Sequence, residues 1–362
     1  MSRTRRLVRK LHLWLGLSLG LLFVLLGLTG SVLVFYPEID ALLNPEVRVE
    51  GPVAPDLDRA LATVRAAYPA KPGPWRFEVM GEGGAIPARF YNPPERAGAD
   101  FAPMLVWISP DGAQVLRRTY WGDTAMTFLY DLHYRLLIGK TGALVLGYAG
   151  IALFVLVLSG LWAWWPRGSW RKALRYKGDA GPSRRWRDQH KLGGLWGLPL
   201  LLILTVTGVM LELPEESDAV LGAVVAPVEP MPHPASSAWE GKPVRVSDAM
   251  TVAQAAIPEA RIAWVEVPGP GEGGFRIRMQ APGDPSGRFP HSFVWVDQYK
   301  GTLLAVSDAR QANASGFINN WIHALHDGSF GGLATRILTA LAGLIPLLLF
   351  VTGFRRWRLR AS

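Results

Sequence analysis

His12-Leu-Trp-Leu-Gly16 opens an apolar run that closes on Leu28-Thr29-Gly30, and His190-Lys-Leu-Gly-Gly194 opens another that closes on Val206-Thr207-Gly208. One offset of 178 residues carries His12 onto His190 and Thr29-Gly30 onto Thr207-Gly208. Two further apolar runs end alike, in Ser159-Gly160 and Thr352-Gly353. At their offset of 193, His133 falls on His326 and Gly139 on Gly332. Self-similarity at a fixed spacing governs the whole architecture, so it is read before any local pattern. It predicts a chain built by duplication: two tandem units of two helices each.

The four runs occupy residues 11–35, 141–165, 192–213 and 333–354, and each is free of charge except near its ends. A hydrocarbon core of about 30 Å takes roughly 20 helical residues to cross, so each run is long enough to span a membrane. Composition agrees, with 49% hydrophobic and 19% charged residues where soluble domains carry roughly 25% charge. The first run is far longer than the roughly 7–15 apolar residues of a cleavable signal, and no A-x-A-like site follows it. It reads as a retained helix. The chain has no cysteine, which excludes disulfides, thiolate metal sites, iron–sulfur clusters and thioether-attached haem.

The net charge of +9 is concentrated in three places. Arg3, Arg5, Arg6, Arg9 and Lys10 precede the first run, nine Lys and Arg residues from Arg167 to Lys191 surround the link between the second and third, and Arg355, Arg356, Arg358 and Arg360 follow the fourth. Basic residues in short loops beside spans mark the cytoplasmic side. Both termini and the middle link are therefore expected inside and two long segments outside, and the charge is an orientation signal with no nucleic-acid site in it.

The two outer segments repeat as well. Residues 58–68 (DRALATVRAAY) predict an amphipathic helix stopped by Pro69, and residues 247–257 (SDAMTVAQAAI) match it, with Ser247 as cap and Pro258 as stop. Short β-rich runs follow at 75–80, 86–91, 262–267 and 275–279, and each segment closes with a hairpin signal, at 104–112 and 293–301. Each segment thus predicts a separate α+β module, one helix on a short antiparallel sheet. The expected organisation is: transmembrane helix 1 at 11–36; outer module 1 at 37–122; an outer helix at 123–140 leading into helix 2 at 141–165; a basic inner loop at 166–189; helix 3 at 190–213; outer module 2 at 214–316; an outer helix or turn at 317–332; helix 4 at 333–354; and an inner tail at 355–362.

Four of the seven histidines occupy equivalent places. A histidine at a span end sits readily at headgroup level, like the neighbouring Trp14, Trp162, Trp164, Trp165 and Trp196; within a bundle it needs a partner or a function. Pseudo-twofold symmetry sets His12 opposite His190 at one membrane face and His133 opposite His326 at the other. Two facing imidazoles in a helix bundle are what bis-histidine haem ligation needs, and one haem near each face would divide the electron's path across the bilayer. His323, three residues before His326, stands as an alternative or supporting ligand. His233 and His291, in proline-flanked outer loops, read as solvated. Arg9, Arg135, Lys191 and Arg336 lie close enough to the four histidines to pair with haem propionates, or to snorkel at the interface. Gly16, Gly20, Gly27 and Gly30 suit close helix packing or room for a flat ring. No P-loop, dinucleotide fingerprint or HExxH motif is present.

Together, His12, Gly16 and Thr29-Gly30, Leu132-His133, the Arg187-x-x-His190 element and Leu325-His326-Asp-Gly328 resemble the PepSY-associated transmembrane helix family over nearly the whole chain. The resemblance implies a bacterial inner-membrane protein with two periplasmic PepSY-like modules and iron-linked roles, some relatives being haem-containing reductases of ferric siderophores. It implies two non-covalent b-type haems, with iron held by His12, His190, His133 and His326.

The function expected is an oxidoreductase passing electrons from a cytoplasmic or membrane donor to a periplasmic acceptor, a ferric siderophore, whose reduction to Fe(II) weakens its hold on the metal. The cofactors carry that chemistry, so no catalytic side chain is expected. Trp75, Tyr120, Trp121, Trp239 and Tyr299 of the outer modules serve either to pack cores or to hold a ligand. The alternatives are a haem-free PepSY interaction or regulatory protein and an importer of iron chelates; against the importer, no span carries a charge at mid-membrane.

Overall fold

A computed structural model describes residues 3–361 apart from 80, 82, 167, 237–241 and 272. Thirteen helices are described: α1 (Arg3–Ser18), α2 (Gly20–Leu33), α3 (Tyr36–Leu43), α4 (Leu57–Ala67), α5 (Ala125–Arg135), α6 (Gly139–Trp164), α7 (Trp170–Leu174), α8 (Pro182–Glu212), α9 (Pro214–Val224), α10 (Val246–Ala256), α11 (Ala314–Asp327), α12 (Gly332–Ala342) and α13 (Ile345–Ala361). Eight strands accompany them: β1 (Trp75–Glu78), β2 (Ile86–Phe90), β3 (Met104–Ile108), β4 (Val115–Tyr120), β5 (Arg261–Val267), β6 (Gly274–Gln280), β7 (Ser292–Asp297) and β8 (Leu303–Ser307). The chain divides into two compact units. One comprises Met1–Tyr36, Leu129–Ser217 and Ile322–Ser362, and the other Pro37–Phe128 and Asp218–Trp321.

The first unit is helical and apolar. Gly139–Trp164, Pro182–Glu212 and Ser329–Leu359 are each long and apolar enough to cross a membrane, and α1 with α2 makes a fourth span if that bent pair counts as one. Here the structure corrects the expectation of a single first helix over 11–36, because α1 and α2 meet at 57°. The cause is local. Ser18 Oγ turns back to donate to Trp14 O at 2.8 Å, and Gly20 follows two residues on; serine back-bonding and glycine are common sources of helix bends. Within the unit, α8 packs on α6 and α13, and α2 packs on α12 and α13. Gly27 and Gly343 bring span one against the last span backbone to backbone, since a Cβ on Gly27 would stand 2.2 Å from Gly343 O. Ser31 Oγ donates across the same crossing to Ala340 O at 2.7 Å.

The stretch from His133 into the second long helix does not run straight. It breaks where Leu136, Leu137 and Gly139 take positive φ values of 51°, 62° and 61°. Gly142 completes the turn, because a Cβ there would lie 1.6 Å from Arg135 O.

The second unit is one antiparallel sheet of eight strands in the order β4-β3-β2-β1-β5-β6-β7-β8. Two separate modules were expected from the sequence; instead β1 pairs with β5 over Trp75↔Val267 to Glu78↔Trp264. One continuous core lies between this sheet and helices α4 and α10. Phe77, Ile86, Met104, Val106, Val265, Phe275, Ile277 and Val294 point into it from the strands, and Ala60, Val64, Ala249 and Ala253 from the helices. Strand residues of alternating parity face one side, so the other side of the sheet takes Arg76, Glu78 and Arg89. There Glu78 Oε1 accepts from Arg76 at 3.4 Å and Arg89 at 3.1 Å. Trp264 lies 3.9 Å from the guanidinium of Arg76 and 4.6 Å from that of Arg278.

The helix caps also depart from expectation. Asp56 caps α4 by accepting from Arg59 N. Ser247 does not cap α10: Arg245 holds the cap position without a side-chain bond. The Asp58 carboxylate, from α4, accepts Val246 N at 2.6 Å and Ser247 N at 3.4 Å instead.

Candidate functional site: two facing histidine pairs

All four histidines of the sequence pattern lie in the helical unit, and they meet in pairs. The rings of His12 on α1 and His190 on α8 stand 6.0 Å apart between centroids, edge to face at 82°. Those of His133 on α5 and His326 on α11 stand 6.3 Å apart at 52°.

Each ring is held by a Ser-Gly or Thr-Gly dipeptide of another helix. Thr29 Oγ1 lies 2.9 Å from His133 Nδ1 and Thr207 Oγ1 lies 2.9 Å from His326 Nδ1. Ser159 Oγ and Thr352 Oγ1 each lie 3.1 Å from the Nδ1 of His12 and His190. The glycine that follows each hydroxyl clears space for the ring. A Cβ would meet the ring's Cε1 at 2.9 Å from Gly30, 2.8 Å from Gly160, and 3.2 Å from both Gly208 and Gly353.

The hydrogen bonds assign the tautomer. Thr29, Ser159, Thr207 and Thr352 donate their hydroxyl hydrogens to carbonyls of their own helices, at Leu25, Leu156, Ile203 and Leu348, over 2.6–2.8 Å. A hydroxyl has one hydrogen to give, so toward the histidine it accepts and Nδ1 carries the proton. In the first pair, carbonyls make the same demand: His12 Nδ1–H donates to Leu156 O at 3.1 Å and His190 Nδ1–H to Leu349 O at 2.9 Å. Nε2 keeps its lone pair in all four rings. This is the arrangement in which a second-shell partner fixes a metal-binding imidazole.

The remaining histidines take other places. His323 is half-buried on α11, one turn before His326, and is not the ring facing His133. His233 is exposed. His291 is not simply solvated, since its Nδ1 lies 3.4 Å from Asp284 Oδ1 and Asp284 Oδ2 accepts its backbone N–H at 2.6 Å.

Of the four cations, Arg9 reaches Ala163 O at 3.5 Å and Lys191 donates to Asp188 and Arg175 O. Arg336 donates to Val34 O at 2.7 Å and covers Phe35, while Arg135 lies over Tyr134. Trp75 is fully buried in the sheet core, Trp121 is buried against Phe101, Arg96 covers Tyr120, and Tyr299 donates to Gly271 O. Trp239 lies outside the described residues.

Sequence reasoning found the histidines and read Thr-Gly as part of the pattern. It missed that each dipeptide serves the histidine of its neighbouring span. The signal was present, because all four runs end in Ser-Gly or Thr-Gly and four histidines need four holders.

A model of the PepSY-associated TM region matches residues 9–360, and the chain belongs to that family. An uncharacterised protein of Pseudomonas aeruginosa is 32% identical over 126 residues, which are 33% of this chain and 32% of that protein. The chain thus spans about a third of that relative's length.

Proposed function

We propose that the chain is a haem-containing membrane reductase that passes electrons outward to a ferric chelate of the siderophore class, releasing iron as Fe(II). The observation that carries this reading is the pair of facing histidine rings at 6.0 and 6.3 Å with every Nδ1 engaged. A metal–imidazole bond of about 2 Å on each side, plus roughly 1.1 Å from each nitrogen to its ring centroid, adds to about 6 Å. The spacing fits one metal between each pair. No group of three or more His, Cys, Asp or Glu residues that could hold a metal ion occurs among the described residues. Two histidines alone suit a metal whose other ligands come with it, as in a porphyrin. Beside the first pair, Gly16 and Gly194 sit one turn from His12 and His190. A Cβ on either would meet only a leucine methyl, at 3.9 and 3.6 Å, which leaves that flank open to a flat ring.

His12 and His190 would hold one haem, His133 and His326 the other, and each haem would supply a one-electron Fe(III)/Fe(II) couple. Thr207 holds His326 and lies 17 residues beyond His190 on α8, about 25 Å at 1.5 Å per residue. The two pairs therefore divide the width of a membrane between them. The basic clusters beside the spans orient the chain with both termini and the α6–α8 link in the cytoplasm, in the inner membrane of a bacterium. The palindromic sheet order and the matched histidine holders support descent by duplication.

Visible absorption of the full chain purified from haem-replete cells tests the reading. Bis-histidine haem bands at two per chain are expected. Replacing His12 or His190 should remove one haem, and replacing His133 or His326 the other. A clean preparation with no haem band sinks the reductase and leaves a haem-free PepSY interaction protein.

A further inference from the structure

The end of the helical unit that carries the chain termini holds an open cleft of about 370 Å³, lined by Gly181, Pro182, Ser183, Arg184 and Arg187 of α8 and its cap, and by Arg356 of α13. Beneath it Asp188 is fully buried, with Arg184 Nε at 3.2 Å, Arg187 Nη2 at 3.3 Å and Lys191 Nζ at 3.3 Å. Among the described residues, these three cations pair with no other carboxylate. One negative charge thus stands against three positive ones, and Arg356 lines the cleft beside them. Arg184 and Arg187 remain 38% and 39% exposed, so their guanidinium groups reach the opening. Asp188 fixes them there while leaving donors unspent.

The backbone adds to this field. Gly181, Pro182 and Ser183, the first residues of the 31-residue α8 and its cap, line the same space, so the helix dipole presents its positive end there. The place in the fold matters too. Arg187 precedes His190 by one turn on α8, and Arg356 follows Thr352, the holder of His190, by one turn on α13.

We propose that this cleft binds a phosphate group. Arginine forks match phosphate oxygens in geometry and charge. The volume of about 370 Å³ exceeds a lone phosphate and falls in the usual range for a small-molecule site, about 300–1,000 Å³, so there is room for a moiety attached to the phosphate. Two sources share that chemistry: a soluble phosphate-bearing metabolite such as a nucleotide, and the headgroup of an anionic phospholipid. The inference needs no haem. Alongside the redox reading, it places an anion one helical turn from the histidine pair nearest the electron donor.

The test uses the full chain in nanodiscs of phosphatidylcholine, with binding of radiolabelled inorganic phosphate at low ionic strength. A second arm uses nanodiscs of mixed phosphatidylcholine and phosphatidylglycerol and reads retained lipid by native mass spectrometry. Saturable phosphate binding, competed by nucleotide phosphates, assigns a soluble ligand. Selective retention of phosphatidylglycerol without phosphate binding assigns a lipid. Either signal should weaken about tenfold in Arg356→Gln and in Arg184→Gln, the loss of one charge-assisted contact, and stay unchanged in Arg171→Gln on exposed α7. Arg184→Gln leaves Arg187 and Lys191 on Asp188, so it remains readable if Arg356→Gln fails to fold. Neither signal in the wild type overturns the proposal. So does equal weakening in all three variants, which would mark diffuse attraction to a basic surface.

Discussion

Alanine substitution at the four holder glycines should divide each histidine pair into a tolerant and an intolerant side. A Cβ at Gly160 would stand 2.8 Å from His12 Cε1, whereas ordinary contact begins at 3.4 Å, so the ring must retreat by about 0.6 Å. At Gly30 the retreat of His133 is about 0.5 Å, and at Gly208 and Gly353 it is about 0.2 Å. Metal–ligand distances hold within about 0.2 Å of their ideal values. Gly160→Ala and Gly30→Ala exceed that tolerance, and the other two meet it. Stability is a poor readout here. Overpacking costs about 1–3 kcal/mol, while replacing a mid-helix glycine by alanine returns roughly 0.5–1 kcal/mol, so the two largely offset each other. Low-temperature EPR of the oxidised protein reads the ligation directly. With haem bound as proposed, Gly160→Ala should convert that of the first pair from low to high spin, and Gly30→Ala that of the second pair. Gly353→Ala and Gly208→Ala should retain both low-spin signals. Equal behaviour of Gly160→Ala and Gly353→Ala would refute the reasoning, because they press on opposite rings of one pair with different force.

Thr29→Val and Thr207→Val each remove a hydroxyl that holds the second pair, and a lost hydrogen bond of about 1 kcal/mol should move the midpoint potential of the haem proposed there by tens of millivolts in a redox titration. Ser159→Ala should move the potential of the haem proposed for the first pair by a similar amount, because each ring has a second acceptor of the same kind, Leu156 O for His12 and Leu26 O for His133; no shift there would contradict the assignment of donors. Asp58→Ala removes the carboxylate that satisfies Val246 N and Ser247 N, and should cost about 1–2 kcal/mol in urea unfolding. A loss no greater than that of an exposed surface alanine would dismiss the cross-helix cap. Burial pushes Glu78 up, but Arg89 and Arg76, with Arg288, pull it down further and hold it below its usual 4.5. Its stabilisation is therefore complete above that value and lost as pH falls through the lowered one. Glu78→Gln should flatten the dependence of unfolding on pH between 6 and 3, and an unchanged slope would count against it.

Much of the helical unit was legible because its signals are local or periodic. Apolar length gives the spans, and a fixed offset gives the pairing of His12 with His190 and of His133 with His326. The bend at Leu19 was not legible in the same way. Ser18 and Gly20 occur in many straight spans, and the direction their backbone takes depends on neighbours: Gly20 accommodates Phe350, whose ring a Cβ would meet at 2.5 Å. The break before α6 is similar. Gly139 and Gly142 marked the region, yet the chain turns at Leu136 and Leu137 in left-handed conformations that leucine does not advertise.

The shared sheet is the deepest miss, and its cause is physical. Each segment's strands, read alone, close into a plausible small sheet, and nothing local to β1 says which strand lies on its free side. The information is in the charges. Arg76 faces Arg89 across β1–β2 but Glu266 across β1–β5, and like charges directly opposite destabilise a pair while opposite charges support it. Beside that contact, Trp264 receives the guanidinium of Arg76 on one side and Arg278 on the other. Left alone, β1 would present an open edge with Trp75 and Phe77 beside it, a form that proteins avoid; paired with β5, it is buried along all four residues. The two segments therefore complete one core, and neither finishes folding until the other, some 190 residues along the chain, has been made.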